Sequence, residues 1–203
     1  MARENATRHK LICEGLKGLM AHGYEGVGIG PILASVDVPK GSFYHFFKSK
    51  DDFVGAIIEH YAEIWDGRRK DIFADERLSS LERLDAYLAV LEGTIQEEHP
   101  AGGCLLGVLG QTISGRSAML RAKLAEAYRS WENSIAGLLQ EAEKAGELRA
   151  GVDPQMAAVE LIDAYEGAII RVKLNDDLEA FARFRKLAIA KLRRDRDEQV
   201  RSA

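Results

Sequence analysis

Apolar side chains recur at intervals of three and four along nearly the whole chain, and only four prolines interrupt it. That period follows the turn of an α-helix, whereas a half-buried strand needs strict alternation, so the spacing predicts an all-α protein. The run at 7–22 sets Ile12, Leu16, Leu19 and Met20 on one face, and Gly23 behind it suits the left-handed conformation beyond a helix end. Shorter helices are expected at 30–35 and 39–46, the second opened by Pro39 in its first turn. Ser49 followed by Asp52 starts a long helix to about residue 73, with Arg68, Arg69 and Lys70 near its carboxyl end, and Ser79 followed by Glu82 repeats the start signal. A break at 100–103 precedes a short apolar helix at 104–110 and a long helix at 116–145. Asp153-Pro154 caps a helix to about 174, and Asp176, with Glu179 as the capping-box partner, is expected to cap a last one before a charged tail.

With 203 residues, 46% hydrophobic and 30% charged, the chain can bury a core, which excludes disorder as its main state. No apolar run reaches the roughly 18–20 residues that span a bilayer. The polar segment 1–10 does not read as a secretory signal, and the expected location is the cytoplasm. Cys13 and Cys104 are too few for a disulfide scaffold and are expected as reduced thiols. No metal or cofactor site is expected: His9 and His22 read as surface groups without ligand spacing, and no catalytic constellation is visible. The net charge of −4 is uneven: residues 1–50 carry seven basic against four acidic side chains, a surplus of three, leaving −7 on the rest. A basic module on an acidic body fits a local footprint for nucleic acid.

Two short helices joined by three or four residues, the second opened by proline and apolar on one side only, have the form of a helix-turn-helix. With Phe43, Phe46 and Phe47 inward, Ser42, Tyr44, His45 and Lys48 face outward, where hydroxyl, phenol, imidazole and ammonium groups can meet phosphates or base edges. Gly41 would let the backbone approach DNA closely, and the helix N-terminus would add a phosphate site.

Residues 7–53, with Gly23-Tyr24, Ile32-Leu-Ala34 and above all Val38-Pro-Lys-Gly-Ser-Phe-Tyr-His-Phe-Phe-Lys-Ser-Lys-Asp51, resemble the DNA-binding domain of the TetR family of transcriptional repressors. The resemblance implies Lys40, Gly41, Ser42, Tyr44 and His45 as the DNA-facing set, with Lys48 on a phosphate. It also implies a helix-turn-helix domain at 1–50, an effector-binding and dimerisation domain at 51–203, a homodimer through the last two helices, and a ligand pocket in the central ones. Val27-Gly28-Ile29-Gly30-Pro31 departs from the pattern, since many relatives have a Thr or Ser cap there.

Surplus apolar residues on the last two helices, among them Met156, Ile169, Ile170, Phe184 and Leu187, suit either a two-fold interface or an ordinary core. A dimer would place two recognition helices about 34 Å apart, the repeat of successive major grooves on palindromic operator DNA. Gly103-Cys-Leu-Leu-Gly-Val-Leu-Gly-Gln111 and Glu166-Gly-Ala-Ile-Ile-Arg-Val-Lys-Leu174 are similar to the branch of the family typified by NemR and AcuR, which responds to reactive electrophiles or small unsaturated acids. That similarity makes Cys104 the candidate sensor, with a helix start, and Lys173 or Arg171, to lower its pKa; otherwise it is a small buried hydrophobe. Tyr128, Trp131, Tyr165 and Glu166 are the further effector candidates, Glu166 needing a partner if buried. The expected function is a homodimeric repressor released from operator DNA by a small effector, covalently at Cys104 or non-covalently. A ligand-independent DNA-binding protein is the alternative. An enzyme using Cys104 is disfavoured, because His99 is the one nearby histidine and stands across the Pro-Gly break.

Overall fold

The structure, a computed structural model, describes residues 2–98, 103–113, 115 and 117–194. Among them the chain forms nine α-helices and no sheet: α1 (Ala2–Gly26), α2 (Ile29–Ser35), α3 (Phe43–Phe46), α4 (Lys50–Phe73), α5 (Ser80–Glu98), α6 (Leu105–Ile113), α7 (Ala118–Lys144), α8 (Pro154–Asn175) and α9 (Glu179–Leu192). A 3₁₀ turn, Lys40–Ser42, leads into α3. The all-α expectation holds. His99, Pro100, Arg116 and the charged tail beyond 194 lie outside the described residues.

The start signals act as their chemistry requires. Asp52 N–H donates to Ser49 Oγ (3.0 Å) and Lys48 N–H to Asp52 Oδ2 (2.8 Å) at the head of α4. Ser79 and Glu82 exchange the paired bonds of a capping box at α5, and Asp153 accepts from the Gln155 and Met156 amides with Pro154 as first residue of α8. Gly23 takes φ 63°, ψ −174°, a region open essentially to glycine; one further turn follows to Gly26. The cap expected of Asp176 is corrected: with φ 52° and ψ 39° it ends α8, and Asp177 accepts from the Glu179 amide instead. Two adjacent aspartates can each serve either end, and the left-handed turn settles which does.

The described residues fall into two compact units, one of Met1–Trp65 and Gly103–Tyr128, the other of Asp66–Gly102 and Arg129–Ala203. In the first, α1 packs on α2 and on α6. Phe43, Phe47 and Phe53 stack with centroids 4.8–5.5 Å apart, and Leu11, Leu19, Leu33 and Ile57 close the core around them. Gly15 lets α1 lie directly on α4: a Cβ there would overlap the Phe53 ring and stand 2.6 Å from Ile57 Cδ1.

In the second unit, α9 packs on α8 and α5 around Leu84, Leu88, Leu161, Ile162, Tyr165 and Phe181. Arg185 of α9 clasps Asp85 through Nε (2.7 Å) and Nη2 (2.9 Å) and reaches Glu92 through Nη1 (3.0 Å); these bonds raise its pKa further. The Glu147 carboxylate accepts from the Ser80 (3.1 Å) and Leu81 (2.9 Å) amides, a favourable charge at the positive end of α5. No described helix is long and apolar enough to cross a membrane.

Candidate nucleic-acid interface and effector site

The turn into α3 is built by Pro39, whose carbonyl accepts from the Ser42 amide at 2.9 Å. Phe43 and Phe47 anchor the segment in the core, while Phe46 is only half-buried. Lys40, Gly41, Tyr44, His45 and Lys48 are exposed and Ser42 is half-buried, so the expected outward set does share the solvent side. Tyr44 is 71% exposed and touches the core only edge to face on the Phe43 ring. A Cβ at Gly41 would meet no atom within 4 Å, so the missing side chain answers no internal contact. The helix start expected to add a phosphate site is a 3₁₀ turn leading into an α-helical part of four residues. Gly28 begins α2 with no side-chain cap, as the departure at 27–31 foretold.

Two sets of contacts border this surface. The Lys50 ammonium donates to the carbonyls of Tyr24 (2.7 Å) and Val27 (2.9 Å) above the Tyr24 ring, and the Tyr24 hydroxyl donates to Asp51 (2.5 Å). These bonds tie the end of α1 to the start of α4. His45 Nε2 donates to Glu4 Oε1 at 2.5 Å, and this bond, with the imidazole's charge, holds the Glu4 carboxyl below its ordinary pKa.

Cys104 is 3% exposed and stands just ahead of α6, where its carbonyl accepts the Val108 amide at 3.0 Å. Cys104 therefore precedes the first turn of α6, the place in the chain where a helix start was expected. Cys104 and the half-buried Tyr128 belong to the first unit; Trp131, Tyr165, Glu166 and Lys173 belong to the second. There Trp131 and Tyr165 meet edge to face at 5.3 Å, and Tyr165 continues into Phe181 and Phe184. Glu166 is half-buried one position on, whereas Arg171 and Lys173 are exposed.

Two features escaped the sequence reading. Arg69, read only as a cation near a helix end, is 3% exposed, pairs with Asp66, lies 5.8 Å from the Trp131 ring, and its Nε finds no acceptor among the described residues. His9 is brought beside Cys13 and His60; its i, i+4 spacing from Cys13 was visible, but His60 lies 47 residues from Cys13.

Residues 14–57 match the model of bacterial regulatory proteins of the tetR family, and residues 80–188 that of the tetracyclin repressor-like C-terminal domain. The chain belongs to the TetR family. It is 38% identical over 176 residues to the transcriptional regulator AcuR of Cereibacter sphaeroides, covering 85% of this chain and 80% of that protein. It is 28% identical to the HTH-type transcriptional repressor DhaR of a Mycobacterium species, over 91% of this chain and 90% of that one. The regulatory protein TetR from Rhodobacter sphaeroides superposes with a TM-score of 0.85 at 35% identity, covering 91% and 97% of the two chains. The reduced form of Escherichia coli NemR superposes at 0.87 with 22% identity over 94% and 99%, a likeness of fold. These TetR-family relatives are transcriptional regulators and not enzymes, and this chain is a transcriptional regulator of the same kind.

Proposed function

We propose that this TetR-family regulator represses transcription as a homodimer on a palindromic operator and leaves the DNA when a small unsaturated acid or electrophile is sensed at Cys104. The observation that carries the DNA half is the exposed Lys40, Gly41, Tyr44, His45 and Lys48, backed by buried Phe43 and Phe47. Tyr44 meets a base edge, Gly41 admits the DNA backbone, and Lys40 and Lys48 answer phosphates. Exposed Met156, Ile170 and Leu174 on α8 and Leu187 on α9 support dimerisation through these helices, since apolar surface of this extent favours a partner. The protein acts in the cytoplasm and performs no turnover. Residues 1–50 serve DNA and 51–203 serve effector and partner.

At Cys104, the thiolate adds to the β-carbon of an activated alkene. The S–C bond forms as the π pair moves to the α-carbon, which takes a proton. A bulkier, polar side chain at a site 3% exposed forces α6 to repack. α4 runs as one helix, Lys50–Phe73, and carries the change to the recognition segment; Tyr128, Trp131, Tyr165, Glu166 and Lys173 are the further effector-binding candidates. Coupling of about 1–3 kcal/mol gives roughly a 5–150-fold loss of affinity.

A non-covalent switch is the second reading, and Arg69 favours it. A buried guanidinium with an unused N–H above an indole is receptive to a small carboxylate. Intact-protein mass after exposure to an α,β-unsaturated aldehyde, paired with DNA mobility on the same sample, separates the two. The covalent switch predicts a mass increase by one adduct with loss of the DNA complex, and Cys104→Ser that keeps DNA affinity but stays bound. Full release of Cys104→Ser refutes the covalent step and assigns release to reversible binding.

A further inference from the structure

His9 and Cys13 sit one turn apart on the same face of α1, and His60 of α4 closes on them from the facing helix. Cys13 Sγ lies 3.6 Å from His9 Nε2 and 3.9 Å from His60 Nε2, and the three ligand atoms lie within 4.8 Å of one another. The two imidazoles cross edge to face at 5.1 Å, each presenting Nε2 to the sulfur. We propose that His9, Cys13 and His60 bind a divalent transition-metal ion of borderline softness, zinc above all, which clamps α1 to α4.

The sulfur-to-nitrogen distances fit. Zn–S of about 2.3 Å and Zn–N of about 2.0–2.1 Å at a tetrahedral angle set S···N at about 3.5 Å, so movements of a few tenths of an ångström complete both sulfur-to-nitrogen edges, while the nitrogen-to-nitrogen edge, within 4.8 Å here, has to close to about 3.3 Å as the ion binds. The donor types fit as well: imidazole and thiolate select zinc and its neighbours over magnesium or calcium, which want oxygen. Hydrogen bonding accounts poorly for the same arrangement. A thiol has one proton to give, so only one imidazole can accept it, and the other must donate to sulfur, a weak acceptor.

Three protein ligands leave one position for water or a carboxylate. His9 and His60 line a cleft of about 250 Å³ that also holds Glu59 and Glu63, and Glu63 stands one turn beyond His60 on α4. Glu59 is paired with Lys123, and Arg8 on the same cleft lies over the Phe47 ring, so Glu63 is the carboxylate nearest in register for that position. His9 is exposed and the other two ligands half-buried, which opens a path for the ion. On binding, the Cys13 thiol releases its proton to solvent as the metal–sulfur bond forms. The clamp is independent of Cys104 and of any effector.

Reduced, metal-free, full-length protein is titrated with Co²⁺ as an optical probe. The expected result is one cobalt per chain, with intense thiolate-to-cobalt charge-transfer absorption and visible bands of tetrahedral geometry, both abolished by Zn²⁺. Cys104→Ser retains the spectrum, Cys13→Ser loses the charge-transfer band, and His60→Gln weakens Co²⁺ by more than ~100-fold, beyond the loss caused by an outer partner. Should either core-side variant fail to fold, His9→Gln on the exposed side gives the same weakening. A wild-type titration without the charge-transfer band overturns the proposal, as does a band that persists in Cys13→Ser or vanishes in Cys104→Ser.

Discussion

Tyr44 and Glu4 show how single side chains on the recognition face can be told apart by what they touch. Tyr44 is 71% exposed beside a buried Phe43 whose ring it meets edge to face, so truncating it removes little packing. Tyr44→Ala is expected to leave the melting temperature within a degree or two, yet to weaken operator binding by about 1–3 kcal/mol in a fluorescence anisotropy titration. Glu4 acts in the opposite sense, because its carboxylate holds His45 and puts a negative charge beside the surface proposed to meet DNA. Glu4→Gln should bind operator more tightly at low salt, and the gain should shrink as salt screens it. The Glu4 pKa is depressed, so the contribution of the His45 bond to folding is present above the ordinary value of 4.5 and is lost as pH falls through the lowered one. The outward set at 40–48 was legible because a short amphipathic helix with aromatics on one side leaves few choices. Arg69 was not, since nothing local distinguishes a cation at a helix end from one that tertiary packing encloses.

Helix boundaries depend on near neighbours, and most were readable for that reason. Ser49 with Asp52, Ser79 with Glu82, and Asp153 with Pro154 all satisfy amide groups within a few residues, so sequence distance and spatial distance coincide. Asp176 and Asp177 show where this fails, because which aspartate caps α9 depends on the left-handed turn that ends α8. Helix pairing was less accessible still: His9 and Cys13 advertise one face of α1, but that His60 completes it follows from how α4 lies against α1. Gly15 sets that approach. Gly15→Ala improves helix propensity but drives a methyl into Phe53 and Ile57, and overpacking of this kind costs about 1–3 kcal/mol, so thermal unfolding is expected at lower temperature. An unchanged or raised midpoint would show that α1 can ride outward without loss.

For the whole molecule, the sequence pattern revealed both the helical class and the family, because the recognition segment is long and specific while the rest needs only amphipathic periodicity. The second unit was less readable, since contacts such as that of Trp131 with Tyr165 join residues far apart in the chain that meet only after folding. The central claim is that two chains together hold one duplex and that an effector releases them. It is tested most directly by titrating DNA from the chain's own upstream region with the protein, before and after an α,β-unsaturated aldehyde or carboxylate, while following the mass of the complex in sedimentation. The account predicts an even number of chains per duplex and a roughly 5–150-fold loss of affinity with the effector. A single chain on the duplex, or an affinity that stays the same across both compound classes, would contradict it.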